Sequence, residues 1–171
     1  MGDGVRHGQP LLVVVVLLWI VVPASVVAQC PCNTSANVAA LMELYDATNG
    51  AGWVNNTGWS RSPSTALCEW YGPLGCNGGE VSSISLVNNR LAGTLPAAMG
   101  AKITALRYLH LDTNNISGTL PPEWANLTGL VDIYLNTNRL SGTLPPEWSH
   151  LSTLQGLHLD GNSINGTLPP E

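Results

Sequence analysis

Two pairs of residues in the sequence combine side chains that could do acid–base or metal chemistry. His110 precedes Asp112 by two positions, and His158 precedes Asp160 in the same way. Residues two apart on a β-strand point to the same face, so each pair could hold a metal or act as a base with an orienting carboxylate. If the two pairs lie on strands two places apart, ~10 Å separates His110 from His158, which is too far for both to bind one metal ion.

No known catalytic motif accompanies these pairs. The sequence has no nucleophile elbow, no Gly-rich phosphate loop and no His-Glu-x-x-His zinc motif. Its net charge is −5, and its few cationic residues are scattered, so no basic surface for nucleic acid is expected. We therefore predict that the protein is not an enzyme, requires no cofactor or metal and does not bind nucleic acid.

Both pairs lie in residues 81–171, where one motif occurs four times. Each copy contains Leu-x-x-Asn and then Gly-Thr-Leu-Pro, and the glycines recur every 24–25 residues: Gly93, Gly118, Gly142 and Gly166. This period, with Leu-x-x-Leu-x-Leu-x-x-Asn inside it, is the signature of a leucine-rich repeat. The sequence thus predicts an α/β solenoid, a right-handed superhelix of about four repeats with short parallel strands on its concave face.

The repeated residue types suit a short strand that ends in a sharp turn. Leu109 and Leu111 alternate with polar residues, which predicts a strand with one buried face. The prolines of each copy preclude a long helix on the outer side, where Trp124 and Trp148 are expected to fill the core. One asparagine per copy is expected to form a buried ladder that satisfies backbone groups outside the sheet. The ladder residues are Asn89, Asn114, Asn138 and Asn162.

Outward side chains of the predicted strands align in columns across the repeats. Neighbouring strands lie ~4.8 Å apart, so one ligand could contact several repeats, and aromatic residues favour binding. The predicted binding residues are Tyr108, His110, Asp112, Asp132, Tyr134, Asn136, His158 and Asp160. One alternative is a polar face that only keeps the protein soluble. Another is an ice-binding array built on Thr113 and Thr137, although Gly161 interrupts that row.

Residues 1–28 have the features of a secretory signal peptide. Arg6 precedes an apolar run at residues 11–22, Pro23 follows it, and Val26-Val27-Ala28 offers a cleavage site. The alternative is an uncleaved anchor, but the run is short for the ~20 residues that span a bilayer. We predict a secreted or cell-surface protein that meets a membrane only through an uncleaved leader or an anchor absent from this chain.

Secretion makes the four cysteines candidates for disulfide bonds. Cys68 and Cys76 enclose a short loop, and we predict that they bond to each other. Cys30 and Cys32 are too close for an unstrained mutual bond, so their partners stay open, and a four-cysteine metal site is the alternative. Secretion also predicts N-glycans at the Asn-x-Ser/Thr sequons. These are Asn33, Asn55, Asn115, Asn126 and Asn165.

Residues 29–80 are predicted to cap the first repeat, because the open end of a solenoid exposes apolar side chains. Apolar residues at helical spacing predict a helix over 38–48, with Asn37 or Ser35 as its cap and Asn49-Gly50 as its stop. Three tryptophans are expected to form the core of this cap, with a sugar-binding platform as the alternative: Trp53, Trp59 and Trp70.

Residues 37–171 resemble known leucine-rich-repeat proteins. The segment 41–50, the tryptophans after it and the Cys68-x-Trp-Tyr-Gly loop are similar to the N-terminal cap of plant-type leucine-rich-repeat proteins. The Ser-Gly-Thr-Leu-Pro-Pro-Glu-Trp copies at 117–124 and 141–148 resemble surface-antigen and proteophosphoglycan repeats of trypanosomatid-like protozoa. This resemblance implies an extracellular or surface-attached protein that recognises a protein or glycan ligand.

Two departures qualify the resemblance. The first repeat is one residue longer and has 97–100 in place of Pro-Glu-Trp, and the last copy stops at Glu171 where the others continue. We therefore expect the sequence to be part of a longer array. The predicted function is ligand recognition on the concave face, and the alternative is a structural or adhesive coat glycoprotein without a discrete pocket.

Overall fold

The computed structural model describes residues 32–59, 67–72 and 75–167. The predicted leader and Cys30 lie outside these residues. The described chain forms a helix, α1 (Ser35–Ala47), and then short strands that alternate between two sheets. The first sheet contains β1 (Gly75–Asn77), β2 (Glu80–Ser85), β4 (Tyr108–His110), β6 (Asp132–Tyr134) and β8 (Gly156–His158). The second contains β3 (Ala92–Thr94), β5 (Asn115–Gly118), β7 (Arg139–Thr143) and β9 (Ser163–Asn165).

Successive repeats pair in parallel within both sheets, and among the described strands only β1 pairs antiparallel with its neighbour, β2. Each repeat therefore adds one strand to the first sheet, turns, and adds one strand to the second. This architecture is a leucine-rich-repeat solenoid with an N-terminal cap, which confirms the predicted fold class.

The core follows the alternation seen in the sequence. Ile84, Leu109 and Ile133 are completely buried and lie opposite one another on adjacent strands of the first sheet. Leu86, Leu111 and Leu135, which follow them two residues later, are also completely buried. Each such side chain contributes about 1.5–3 kcal/mol by leaving water, so stacked repeats share one continuous core.

A ladder of buried asparagines joins the two sheets. The Asn114 side-chain amide donates to the carbonyl oxygens of Leu86 and Leu111, and its oxygen accepts from the backbone N–H groups of Asn89 and Leu91. Asn138 and Asn162 make equivalent bonds one and two repeats later, although Asn162 is only partly buried. These bonds satisfy backbone groups at the turn, where no strand partner exists.

The outer side of the first three repeats contains one helical turn each. The first repeat has α2 (Met99–Lys102), whereas the next two have 3₁₀ helices at Pro122–Asn126 and Pro146–His150. Trp124 and Trp148 are buried there with their rings stacked at 6.3 Å. Their indole N–H groups donate to the carbonyls of Pro96 and Pro121, one repeat earlier, so the tryptophans fill the outer core as predicted.

The cap packs an aromatic cluster against α1. Trp53, Trp59 and Trp70 are all nearly buried, and successive ring centroids lie 4.8–4.9 Å apart. This burial confirms that they form a core, not a sugar-binding platform. Asn49 is left-handed (φ 55°) directly after the helix, as predicted for its stop.

The start of α1 differs from the prediction. Thr34 is the N-cap, and its hydroxyl accepts from the N–H of Asn37. Asn37 is completely buried and instead donates to the carbonyls of Cys32 and Gly79. Asn37 therefore makes a tertiary contact instead of capping the helix, and the local sequence pattern does not predict that contact.

The disulfide bond of the cap also differs from the prediction. Cys76 is bonded to Cys32, with Cα atoms 5.6 Å apart, so the predicted Cys68–Cys76 bond is wrong. The bond also excludes the alternative in which all four cysteines bind a metal. The reason is topological. Asn37 ties Cys32 to Gly79 in the β1–β2 turn, which brings Cys32 beside Cys76 on β1.

Candidate ligand-binding face

The first sheet brings most of the predicted binding residues together. Tyr108 lies opposite Asp132, and Asp132 lies opposite Gly156. In the next column His110 lies opposite Tyr134, and Tyr134 lies opposite His158. This register equals that of the aligned repeats, because the buried residues between these positions fix which face each strand turns outward. We call the outward side chains of β2, β4, β6 and β8, with the residues two beyond each strand, the concave face.

An aromatic row crosses this face. The His110 and Tyr134 rings meet edge to face with centroids 4.6 Å apart, and the Tyr134 and His158 rings stack at 4.1 Å. Tyr108, in the neighbouring column, is 39% exposed. Such rings present apolar area and hydrogen-bonding groups at small entropic cost, which suits a contact surface.

Carboxylates flank the aromatic row on both sides. Asp132 lies in the column before it, and Asp112 and Asp160 lie in the column after it, separated by Asn136. Thr113 donates a long hydrogen bond of 3.5 Å to the Asp112 carboxylate. An exposed cation, Arg107, directly precedes β4 in the chain. The side chains on the three strands thus form an aromatic strip bordered by negative charge.

Gly156 completes this surface, although the sequence pattern did not single it out. A Cβ built at Gly156 would lie 2.4 Å from Asp132 Oδ1 and 3.6 Å from His158 Nε2. The carboxylate therefore occupies the space that a side chain at 156 would need. The only sequence signal was the glycine itself, in a column whose other members carry side chains.

The row of Thr113 and Thr137 lies in the turns and not on the strands. Both residues have left-handed backbones, with φ of 57° and 55°. Asn88 and Gly161 occupy the equivalent positions with φ of 51° and 68°. The shared conformation suits the asparagine and the glycine at the two ends of this row, because both residues tolerate positive φ.

Three of the five predicted sequons lie on the second sheet or on the outer side of the solenoid. Asn115 and Asn165 are exposed on the second sheet, and Asn126 is exposed on the outer 3₁₀ helix. Asn33 and Asn55 belong to the cap, where both are half-buried. The Asn55 backbone is also held by the Asn89 side chain, to which it donates and from which it accepts.

Among residues 32–59, 67–72 and 75–167, no cluster of three or more His, Cys, Asp and Glu side chains could hold a metal ion. In the same residues, no helix has the length and hydrophobicity needed to cross a membrane.

Residues 104–164 match the family described as Leucine rich repeat. The repeats in this segment are therefore similar to the repeats of that family. The chain is also similar to plant receptor kinases of Arabidopsis thaliana. It is 29% identical over 110 residues to a probable leucine-rich repeat receptor-like protein kinase, covering 60% of this chain and 10% of that one. It is 36% identical over 89 residues to the probable inactive receptor kinase RLK902, covering 52% and 13%.

Several solved structures are also similar to this chain. The BIR3–SERK2 complex of Arabidopsis thaliana contains a chain that superposes with a TM-score of 0.66 at 26% identity, over 77% of this chain and 72% of that one. The PEPR1–AtPEP1 structure gives a TM-score of 0.68 at 28% identity, over 80% and 19%. The plant peptide hormone receptor RGFR1, in complex with RGF2, gives 0.54 at 34% identity, over 60% and 19%.

The chain spans only about a tenth of the length of the curated relatives it matches. The likeness therefore concerns their leucine-rich repeats, and the activities of the whole relatives are not carried by it.

Proposed function

We propose that this protein is an extracellular or cell-surface recognition protein whose concave face binds a peptide or protein ligand without catalysing a reaction. The observation that carries the proposal is the aromatic row of His110, Tyr134 and His158, which crosses three repeats on one open face. A side chain repeated only for packing would keep its type from copy to copy. These columns instead change type at each repeat, as a surface fitted to a ligand would.

Two further observations support a ligand on this face. RGFR1, which matches over 60% of this chain, is a peptide hormone receptor seen in complex with RGF2. The sequons described above leave the concave face free, so glycans at Asn115, Asn126 and Asn165 would not obstruct it. A glycan ligand, which the sequence also suggested, would use the same tyrosines and aspartates.

The proposal includes the domain organisation. Residues 1–28 would direct secretion and be removed, residues 29–80 would cap the solenoid, and residues 81–171 would form the repeats. The ligand-contacting residues would be the eight predicted from the sequence, with Gly156 added by the structure.

A structural or adhesive coat glycoprotein is the second candidate. The exposed sequons on the second sheet and outer side favour it, since glycans there could coat the molecule. The resemblance to trypanosomatid-like surface antigens also favours this candidate and stays a prediction. Adhesion of this kind would depend on the glycans and not on one face.

Peptide selection separates the two functions. The full chain, secreted with its own leader and biotinylated, would be used to select ligands from a random 12-residue display library. We expect the double substitution Tyr134→Ala with His158→Ala to lower the affinity for the selected peptides by about 100-fold, because central aromatic residues dominate binding energies. Glu147→Gln on the outer 3₁₀ helix is the control and should change affinity by less than about twofold. Selected peptides indifferent to both concave substitutions would contradict the proposal.

A further inference from the structure

The Asp132 carboxylate lies at the centre of a small, chemically distinct part of the concave face. Tyr108 is its neighbour on one adjacent strand, and Gly156 is its neighbour on the other. Tyr134 follows it two residues later on the same face, and His158 Nε2 approaches the same space above Gly156. Two tyrosines and a histidine therefore occupy the positions next to one acidic group on the same face. We call these five residues the Asp132 niche.

The acid in this niche lacks a partner of its own. Asp132 is half-buried, yet no hydrogen bond or ion pair engages its carboxylate among the residues the structure describes. A partly desolvated carboxylate gains most from a cation that also donates hydrogen bonds. The open face above Gly156 leaves room for such a group to arrive from outside the chain.

We propose that the Asp132 niche binds an arginine side chain of the ligand, which makes the ligand a basic, extended peptide segment. This inference rests on the proposed function, because it assigns a chemical class to the ligand of the same face. A guanidinium fits for two reasons. Its planar fork pairs with a carboxylate through two hydrogen bonds, and its flat face stacks on an exposed aromatic ring such as that of Tyr108.

Charge beyond the niche favours the same ligand. Asp112 and Asp160 lie two columns away on the same face, at the distance at which a second basic residue of an extended peptide would arrive. The whole chain has a net charge of −5, so a basic peptide is attracted from solution. Arg107, which directly precedes Tyr108 in the chain, is a cation that could compete for the same carboxylate.

Gly156 provides a substitution that acts on the niche without removing its charge. A Cβ there meets the end of the Asp132 side chain, which can rotate away, and not the backbone. Gly156→Ala should therefore displace the carboxylate while the strand keeps its pairing. Gly129→Ala is the matched control, because its added Cβ would lie at an ordinary 3.6 Å from the nearest atom.

The test is a titration of the ¹⁵N-labelled full chain, followed by amide chemical shifts. The probe is acetyl-Gly-Arg-Gly-amide, and the comparison probe carries citrulline, which has the shape of arginine without its charge. We expect saturable shifts at Asp132 and Gly156 with the arginine probe, and an affinity about tenfold lower for citrulline. Asp132→Asn and Gly156→Ala should each reduce the arginine affinity by a similar factor, whereas Gly129→Ala and Glu147→Gln should not.

Equal binding of the two probes, or unchanged arginine affinity in Asp132→Asn, would overturn the inference. So would binding that occurs only after Arg107→Gln, since the chain's own arginine would then occupy the niche. The proposed function fails separately. If Tyr134→Ala with His158→Ala abolishes binding of selected peptides while Asp132→Asn does not, the concave face binds a ligand of another class. If none of these substitutions affects the peptides, concave recognition itself is wrong.

Discussion

The two sheets share one period but use it differently. In the second sheet the same residue types recur. A Cβ added at Gly118 would lie 3.1 Å from the Thr94 methyl group, and one added at Gly142 would lie 3.0 Å from the Thr119 methyl group. In the first sheet the outward column passes from tyrosine to aspartate to glycine at equivalent positions, Tyr108, Asp132 and Gly156. Repetition therefore marks the surface that packs one repeat on the next, and variation marks the surface that is free to contact something else.

The edges of the two sheets differ as well. The first sheet begins with β1, which is antiparallel and is fixed by the Cys32–Cys76 bond. The second sheet begins at β3 against the end of α1, where the Ala92 N–H donates to the carbonyl of Thr48. The cap therefore closes the first sheet with a covalent link and the second with packing.

Removing the disulfide should have the largest effect on the free energy of unfolding, and the cap edge of the first sheet should be the part that opens first. Cys32→Ser with Cys76→Ser releases a link between residues 44 apart, and the loop-entropy estimate for this separation is a loss of about 4 kcal/mol. Urea unfolding measures the total, and hydrogen exchange locates it. We expect β1 and β2 to lose protection first. An equal early loss in β7 and β9 would contradict an effect confined to this edge.

Asn114→Ala should break the connection between the sheets. The side chain makes five hydrogen bonds to backbone groups, and several of these groups would be left buried and unpaired. We expect a loss of about 3 kcal/mol in the free energy of unfolding, measured by urea denaturation. Asn136→Ala, on the concave face, is the matched control and should cost less than about 1 kcal/mol. Similar losses in the two variants would mean that the ladder has no special weight.

Two glycine substitutions, one in each sheet, should change stability least but should separate the roles of the two sheets most clearly. Gly142 has φ of 84° and would place a Cβ 3.0 Å from the Thr119 methyl, so Gly142→Ala should cost about 1–2 kcal/mol of stability. It should leave peptide affinity unchanged. Gly156→Ala should do the reverse, with a stability change within about 0.5 kcal/mol and a loss of affinity for the arginine probe. If both substitutions change stability alone, the functional difference between the sheets disappears.

Much of the fold could be predicted because the same sequence motif occurs four times. The Leu-x-Leu alternation, the asparagine after each strand and the Gly-Thr-Leu-Pro turn recur in the copies, so an ambiguous assignment in one copy is resolved by aligning it with the others. The same alignment predicted the register of His110, Tyr134 and His158, since buried leucines on either side leave no alternative face.

The cap contains no repeat that could guide a prediction, and the wrong predictions concern the cap. Proximity in sequence suggested a Cys68–Cys76 bond, whereas Cys76 bonds to Cys32 at the other end of α1. Asn37 was expected to cap the helix, but it joins Cys32 to Gly79. Both depend on contacts across more than forty residues, which a local pattern does not contain.

Period and polarity were enough to predict the solenoid, the outward columns and the candidate binding residues, because both act on neighbouring residues and on near-identical copies. The tertiary structure alone decided the disulfide partner, the tether made by Asn37 and the position of Asp132 over Gly156. A glycine in a column reads only as a missing side chain. What occupies that space depends on the adjacent strand, and here it is a carboxylate aimed beside an imidazole.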